Sequence, residues 1–161
     1  LGRGVAEVGK AFGMEVKIAS FRWRHGDDPE RVPFDSLIAT ADVISLHCPL
    51  TEETRNLIGR RELAKMKSTA LLINCARGGI VDEQALVDAL EDGVIGGAGF
   101  DVLSEEPPIN GNPLLNQEVP NLIVTPHSAW VARESRQRLI DQVAENIQAF
   151  LAGKPCRVVG S

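Results

Sequence analysis

The sequence predicts an α/β fold with a doubly wound parallel sheet, and two observations support this prediction. Short apolar runs with strand character alternate along the chain with segments whose apolar residues recur at helical spacing. Such alternation is typical of parallel strands joined by crossover helices. The length of 161 residues is enough for one domain with a sizeable core.

The first half of the chain supplies the opening helices and two strands. Val5, Val8 and Phe12 are spaced as on one side of a helix, and Gly13 is placed to end it. We expect strands over residues 15–19 and 42–46, and helices over 34–40 and 60–66.

The second half continues the alternation and ends in the longest helix. Asp82 is a suitable N-cap for a helix that runs to about Glu91 and ends at Gly93. We expect strands over 70–73, 97–102 and 121–124, and a final helix from about Val131 to Leu151. Residues 104–120 form a long, proline-rich loop, a kind of segment that often carries function.

Composition argues against several classes of partner. The net charge of −5 has acidic and basic residues interspersed, which argues against a nucleic-acid surface. No apolar run approaches the ~20 residues of a membrane span. The three cysteines have no CxxC spacing, so we expect free thiols, a cytoplasmic protein and no metal site.

Polar residues follow the predicted strands where ligands bind in a doubly wound sheet, beyond the carboxyl ends of the strands. They include Arg77 in the stretch NCARGGIVDE, which spans residues 74–83, together with Asp101 and His127. Glu106 lies on the long loop between the last two strands. We expect these side chains to meet in one crevice.

The chemistry that suits these groups is reduction of a carbonyl beside a carboxylate. The planar guanidinium of Arg77 matches a carboxylate in two hydrogen bonds, and His127 can donate a proton to a carbonyl oxygen. Glu106 would favour the protonated imidazole and orient it. A cofactor must supply the hydride, since no side chain can. We expect Gly78 and Gly79 to let the backbone pass close to the ligand.

Four ordered motifs resemble the nucleotide-binding domain of the D-isomer-specific 2-hydroxyacid dehydrogenases, a Rossmann-type domain, over nearly the whole chain. They are LHCPLTEETRNLIG, LLINCARGGIVDEQAL, GAGFDVLSEEPP and LIVTPHSAW. The resemblance implies that Arg77 binds and polarises the substrate, that Glu106 pairs with the histidine and that His127 is the acid–base. It also implies that Asp101 holds the nicotinamide carboxamide. The implied cofactor-binding residues are Leu1, Gly2, Ser20, Arg22, Arg24, His47, Cys48, Pro49, Thr54, Cys75, Ala76, Arg77, Asp101 and His127.

The start of the chain departs from the family pattern. Only Gly2 stands where the glycine fingerprint GxGxxG has its third glycine, so we expect a domain truncated at its N-terminus. The expected organisation is a dinucleotide-binding domain over 1–152 and a segment over 153–161 that leads back to a missing substrate domain. We therefore expect the isolated fragment to be inactive and the full-length enzyme to be a homodimer.

The segment after His127 indicates the substrate. HSAW followed by RESRQRLIDQVAENIQAF is similar to the glycerate dehydrogenase branch, which implies reduction of hydroxypyruvate or glyoxylate to D-glycerate or glycolate. Trp130 is equally compatible with a packing role at the start of the last helix.

Two other functions are compatible with this fold. A dinucleotide-sensing corepressor has no need of an arginine, a glutamate and a histidine together, although such proteins can retain them. A formate dehydrogenase needs no proton donor to a carbonyl and pairs its histidine with glutamine, so Glu106 argues against it.

The end of the first strand favours NADP over NAD, with NAD still possible. NAD-binding strands of this kind usually end in an acidic residue that accepts hydrogen bonds from the ribose hydroxyls. Here Ser20 takes that place, and Arg22 and Arg24 follow; a hydroxyl and two guanidinium groups suit a 2′-phosphate. The alternative is that both arginines are solvated loop residues.

Overall fold

The fold is known from a computed structural model, which describes residues 1–20 and 31–159. The chain divides into two compact units, Leu1–Pro126 and His127–Ser161. The predicted division at residue 152 remains a prediction.

Two parallel sheets occupy the first unit. The strands are β1 Ile18–Ala19, β2 Arg31–Val32, β3 Val43–Leu46, β4 Leu71–Asn74, β5 Gly97–Phe100 and β6 Leu122–Val124. β1 pairs with β2, and the other four form one sheet in the order β3-β4-β5-β6. The predicted α/β class with a parallel sheet is confirmed.

The helices lie close to their predicted positions. They are α1 Gly2–Ala11, α2 Phe34–Thr40, α3 Arg60–Leu63, α4 Glu83–Glu91 and α5 Arg133–Leu151, with a 3₁₀ helix over Pro113–Leu115. The α3 prediction was too long, because the chain tightens after Leu63: Lys65 and Met66 donate to carbonyls three residues back, at 3.0 and 3.1 Å. The first strand is shorter than predicted, and β2 was not predicted.

The core of the first unit lies between the four-stranded sheet and its helices, with α4 its most buried helix. Leu72 of β4 and Leu86 of α4 are fully buried, as are Ile58 and Ile80 of the connecting loops. Asp82 caps α4 as predicted, since its carboxylate accepts the Ala85 N–H at 3.0 Å. The buried strand β4 holds the start of the loop between β4 and α4, and the Asp82 cap holds its end.

The second unit consists mainly of α5, whose apolar side chains are exposed. They are Leu139, Ile140, Val143, Ile147, Phe150 and Leu151. The segment after α5 folds back on the helix, where Arg157 pairs with Glu145 at 2.5 Å and donates to Asn146 at 3.0 Å. Within residues 1–20 and 31–159, no helix has the length and apolar character needed to cross a bilayer.

Candidate active site

The carboxyl ends of the four main strands are in register. Leu46, Asn74, Phe100 and Val124 pair across the sheet. The next residues along the chain are therefore brought to one edge, and these are His47, Cys75, Asp101 and Thr125. The edge thus collects most of the strand-end residues that the sequence predicts to line a ligand. Two are exceptions: Ser20 follows β1 in the separate sheet, and His127 belongs to the second unit.

The turn that presents Arg77 is held by Asn74, the last residue of β4. Asn74 is fully buried, and its side-chain amide donates to the Arg77 carbonyl at 3.0 Å and accepts the Ala76 N–H at 3.1 Å. A buried amide with both groups bonded fixes the backbone of the turn. The Arg77 side chain is exposed, and its guanidinium donates to the Ala76 carbonyl at 2.7 Å. Sequence reasoning missed Asn74, although it is a polar residue at the end of an apolar strand.

Gly78 is required by a close approach of two backbones. A Cβ at this position would lie 1.7 Å from the Leu103 carbonyl oxygen and 2.6 Å from the Ser104 nitrogen. The prediction that Gly78 makes room for a ligand is therefore corrected, because its neighbour is the loop after β5. Gly79 has a φ of +78°, a left-handed conformation that favours glycine. The Arg77 turn thus packs against the loop that carries Glu106.

The carboxylate of Glu106 accepts the backbone N–H of Leu103 at 2.8 Å. A second acid, Glu83, holds the same loop further along. Its carboxylate accepts hydrogen bonds from the Ser104 N–H at 2.7 Å, the Ser104 hydroxyl at 2.6 Å and the Asn112 amide at 2.7 Å. Sequence reasoning missed Glu83, since an acid after an N-cap is also what a helix dipole favours.

Asp101 connects the ends of β5 and β6. It is 3% exposed, and its carboxylate accepts a short hydrogen bond from the Thr125 hydroxyl. Thr125 also continues the ladder, because its N–H donates to the Phe100 carbonyl at 2.8 Å. Asp101 therefore holds Thr125, which precedes His127 by two positions in the chain.

The start of α1 lies beside the end of β3. A Cβ on Gly2 would be 3.1–3.4 Å from the His47 side chain, so a larger residue would crowd the imidazole. Burial lowers the pKa of His47. His47 bonds the Ser45 hydroxyl at 3.0 Å.

Several other predicted cofactor-binding residues have structural partners. Thr54 is 2% exposed, and its hydroxyl donates to the Pro49 carbonyl at 2.7 Å and accepts the Thr51 N–H at 2.7 Å. Ser20 donates its hydroxyl to the Val32 carbonyl at 3.1 Å. Arg22 and Arg24 lie outside the described residues.

The cysteines are free thiols, as predicted. Burial raises the pKa of Cys48, and burial together with the Asp101 carboxylate raises the pKa of Cys75. Both thiols are therefore protonated at neutral pH and are poor nucleophiles. Among the residues that the structure covers, no group of three histidine, cysteine, aspartate or glutamate side chains is placed to hold a metal ion.

His127 opens the second unit with a left-handed backbone, at a φ of 49°. The indole N–H of Trp130 donates to the His127 carbonyl at 2.8 Å. Trp130 therefore supports the backbone of the histidine. The grouping of Arg77, Glu106 and His127 in one site stays a prediction.

Comparison with known proteins places this arrangement among dehydrogenases. Residues 1–129 match the model of the D-isomer specific 2-hydroxyacid dehydrogenase NAD binding domain. A glycerate dehydrogenase of Methylorubrum extorquens is 50% identical over 159 residues, which cover 99% of this chain and 49% of that protein.

Solved structures agree with the sequence match. D-lactate dehydrogenase with NAD+ from Lactobacillus jensenii aligns with a TM-score of 0.85 at 34% identity, covering 99% of this chain and 52% of that one. An acyclic imino acid reductase in complex with NADPH and D-Arg aligns with a TM-score of 0.81 at 36% identity, covering 99% and 50%. The chain thus spans about half the length of the proteins it matches.

Proposed function

We propose, from the premise that this chain belongs to the D-isomer specific 2-hydroxyacid dehydrogenase family, that the protein transfers a hydride between a nicotinamide dinucleotide and a small 2-oxo or 2-hydroxy acid. The observation that carries this proposal is the contact between the Arg77 turn and the loop of Glu106, made by Gly78 against Leu103. Because the Leu103 N–H donates to the Glu106 carboxylate, this contact supports a site that includes both Arg77 and Glu106. Turnover would require the longer protein, since the chain spans only half of its relatives.

The chain fits a dinucleotide at the same edge. The in-register ends of β3, β4 and β5 form a row, and α1 begins at Gly2 beside the end of β3, where a Cβ would crowd His47. The residues that would hold the cofactor include Gly2, His47, Cys75 and Asp101. Thr54 would contribute by shaping its loop, because its hydroxyl is already bonded inside that loop. The cofactor, when bound, supplies or accepts the hydride.

Each of the three predicted catalytic residues would have one task. Arg77 would bind the substrate carboxylate through paired hydrogen bonds and hold the carbonyl in place. The protonated imidazole of His127 would donate its proton to the carbonyl oxygen, which becomes the hydroxyl of the product. Glu106 would accept a hydrogen bond from that imidazole and stabilise its protonated form. In the reverse direction His127 would take the proton back.

The favoured substrates are hydroxypyruvate and glyoxylate, with D-glycerate and glycolate as products. The support is the 50% identity with a glycerate dehydrogenase. We further propose NADP as the favoured cofactor, because the residue that follows β1 is the neutral Ser20, with NAD as the alternative. A cytoplasmic location and a homodimer complete the proposal, supported by the three free thiols and by the exposed apolar side of α5.

The test is a spectrophotometric assay of dinucleotide oxidation by the full-length protein with hydroxypyruvate and glyoxylate, and with pyruvate for comparison. We expect His127→Ala to lower kcat by about 10²–10⁴. Arg77→Ala should raise KM and lower kcat, because the substrate carboxylate loses its partner. Arg61→Ala is the matched control, since Arg61 is exposed on α3. A His127→Ala protein with near-normal kcat would remove the acid–base assignment.

A further inference from the structure

Glu83 is a buried carboxylate whose hydrogen-bond partners lie on the long loop after β5. It is 8% exposed and follows the N-cap of α4. One oxygen accepts the Ser104 N–H, and the other accepts the Ser104 hydroxyl and the Asn112 amide. Three donors thus converge on one side chain, from two points of the loop that are eight residues apart in sequence.

Glu106 lies between these two points. Just before Ser104 in the chain, the Leu103 N–H donates to the Glu106 carboxylate at 2.8 Å. Asn112 also caps the 3₁₀ helix that follows it, because its side-chain oxygen accepts the Leu114 N–H at 2.9 Å. Glu83 therefore sets the position of the loop relative to α4. Since α4 follows the Arg77 turn in the chain, Glu83 also links the loop to that turn.

We propose that Glu83 is a positioning residue for Glu106, an inference that rests on the proposed function. Glu83 contacts neither the substrate nor the cofactor; it holds the loop so that the Glu106 carboxylate is presented in one orientation. The site requires an acceptor on both oxygens, because the Ser104 N–H and the Asn112 amide can only donate. A glutamine in this place would turn an amide NH₂ toward one of these donors in either orientation, and that donor would lose its partner.

The decisive variant is Glu83→Gln in the full-length protein, with Glu91→Gln as the matched control on the exposed end of the same helix. We expect Glu83→Gln to lower kcat for 2-oxo acid reduction by about tenfold or more, because the catalytic groups lose their alignment. The KM for the dinucleotide should change by less than about twofold, since the Glu83 carboxylate is bonded to the loop through Ser104 and Asn112. Glu91→Gln should leave both values unchanged.

The pH profile distinguishes positioning from a merely structural role. Reduction of a carbonyl takes up a proton, so kcat/KM for reduction should fall at high pH. Glu83→Gln should move this fall in the same direction as Glu106→Gln does, because both variants change how the Glu106 carboxylate is presented. A Glu83→Gln protein that unfolds at lower temperature but keeps its kcat and pH profile would overturn the proposal.

A compensating variant gives a second test. In the double variant Glu83→Gln with Asn112→Asp, the new amide can donate to the new carboxylate while its oxygen still accepts the Ser104 N–H. The aspartate oxygen also keeps the bond to the Leu114 N–H. We expect the double variant to recover most of the lost kcat, whereas Asn112→Asp alone should be impaired because two carboxylates would face each other. Failure of the double variant to recover more activity than Glu83→Gln would count against the proposal.

Amide hydrogen exchange separates this inference from the proposed function. Exchange should be faster in Glu83→Gln at Ser104 or at Leu114, whose N–H is held by Asn112, and it should return toward the original rate in the double variant. This readout needs no turnover, so an inactive parent protein would contradict the proposed function alone. Unchanged exchange at both Ser104 and Leu114 would contradict the role of Glu83.

Discussion

The residue at the end of β1 carries the cofactor prediction. Ser20 is half-buried, and both its N–H and its hydroxyl donate to the Val32 carbonyl, at 2.8 and 3.1 Å. The hydroxyl would have to turn from this carbonyl to donate to a 2′-phosphate. The absence of a carboxylate at this position is still the feature that removes the usual repulsion of NADP.

We expect the full-length protein to prefer NADPH over NADH, as measured by the ratio of the two kcat/KM values. Ser20→Asp should lower that ratio by about 10–100-fold, because a carboxylate repels the phosphate and accepts hydrogen bonds from ribose hydroxyls. Ser20→Ala is the control that removes the hydroxyl without adding charge. A clear preference of the unaltered protein for NADH would show that Arg22 and Arg24 do not serve a phosphate.

At the scale of elements, two loops from neighbouring strands depend on one glycine. The turn after β4 and the loop after β5 approach so closely at Gly78 that the clash of an added Cβ is with backbone. A side chain can rotate away from a clash, but the Leu103 carbonyl can move only if its loop moves.

We therefore expect Gly78→Ala to reduce the free energy of unfolding by about 1–3 kcal/mol, the usual range for overpacking. Gly4→Ala is the matched control, since nothing lies within 4 Å of a Cβ there and alanine is favoured in a helix by about 0.5–1 kcal/mol. Urea unfolding measures both. A Gly78→Ala protein as stable as the original would contradict the close approach of the two loops.

At the scale of the whole molecule, the exposed apolar side of α5 bears on assembly. Ile140, Ile147 and Phe150 are 64%, 55% and 71% exposed. An apolar helix side of this kind is typical of a surface that is covered in the whole protein, by another part of the longer chain or by a partner subunit. The proposed homodimer would cover it with the partner's copy.

We expect the full-length protein to sediment as a dimer. Ile147→Lys should raise the dissociation constant of the dimer by about tenfold or more, because a charge would replace a buried apolar contact. Gln148→Lys adds the same charge to the polar side of α5 and serves as the control. Analytical ultracentrifugation over a concentration series gives the dissociation constants. Equal constants for the two variants would remove α5 from the interface.

The sequence by itself determined the α/β class, the places of α2, β3 and α4, and the family of the chain. These follow from local causes: apolar periodicity, the Asp82 cap, the glycines that end helices, and motifs whose spacing is read directly along the chain. Only the tertiary structure decided why Gly78 is a glycine and what Glu83 holds in place. The partners of Glu83 are 21–29 residues away in the sequence, and Gly78 lies where the backbones of two loops approach each other. No local pattern encodes either relation. The extent of β1 and the end of α3 were also misjudged, because pairing with another strand and competing turn hydrogen bonds set them rather than propensity.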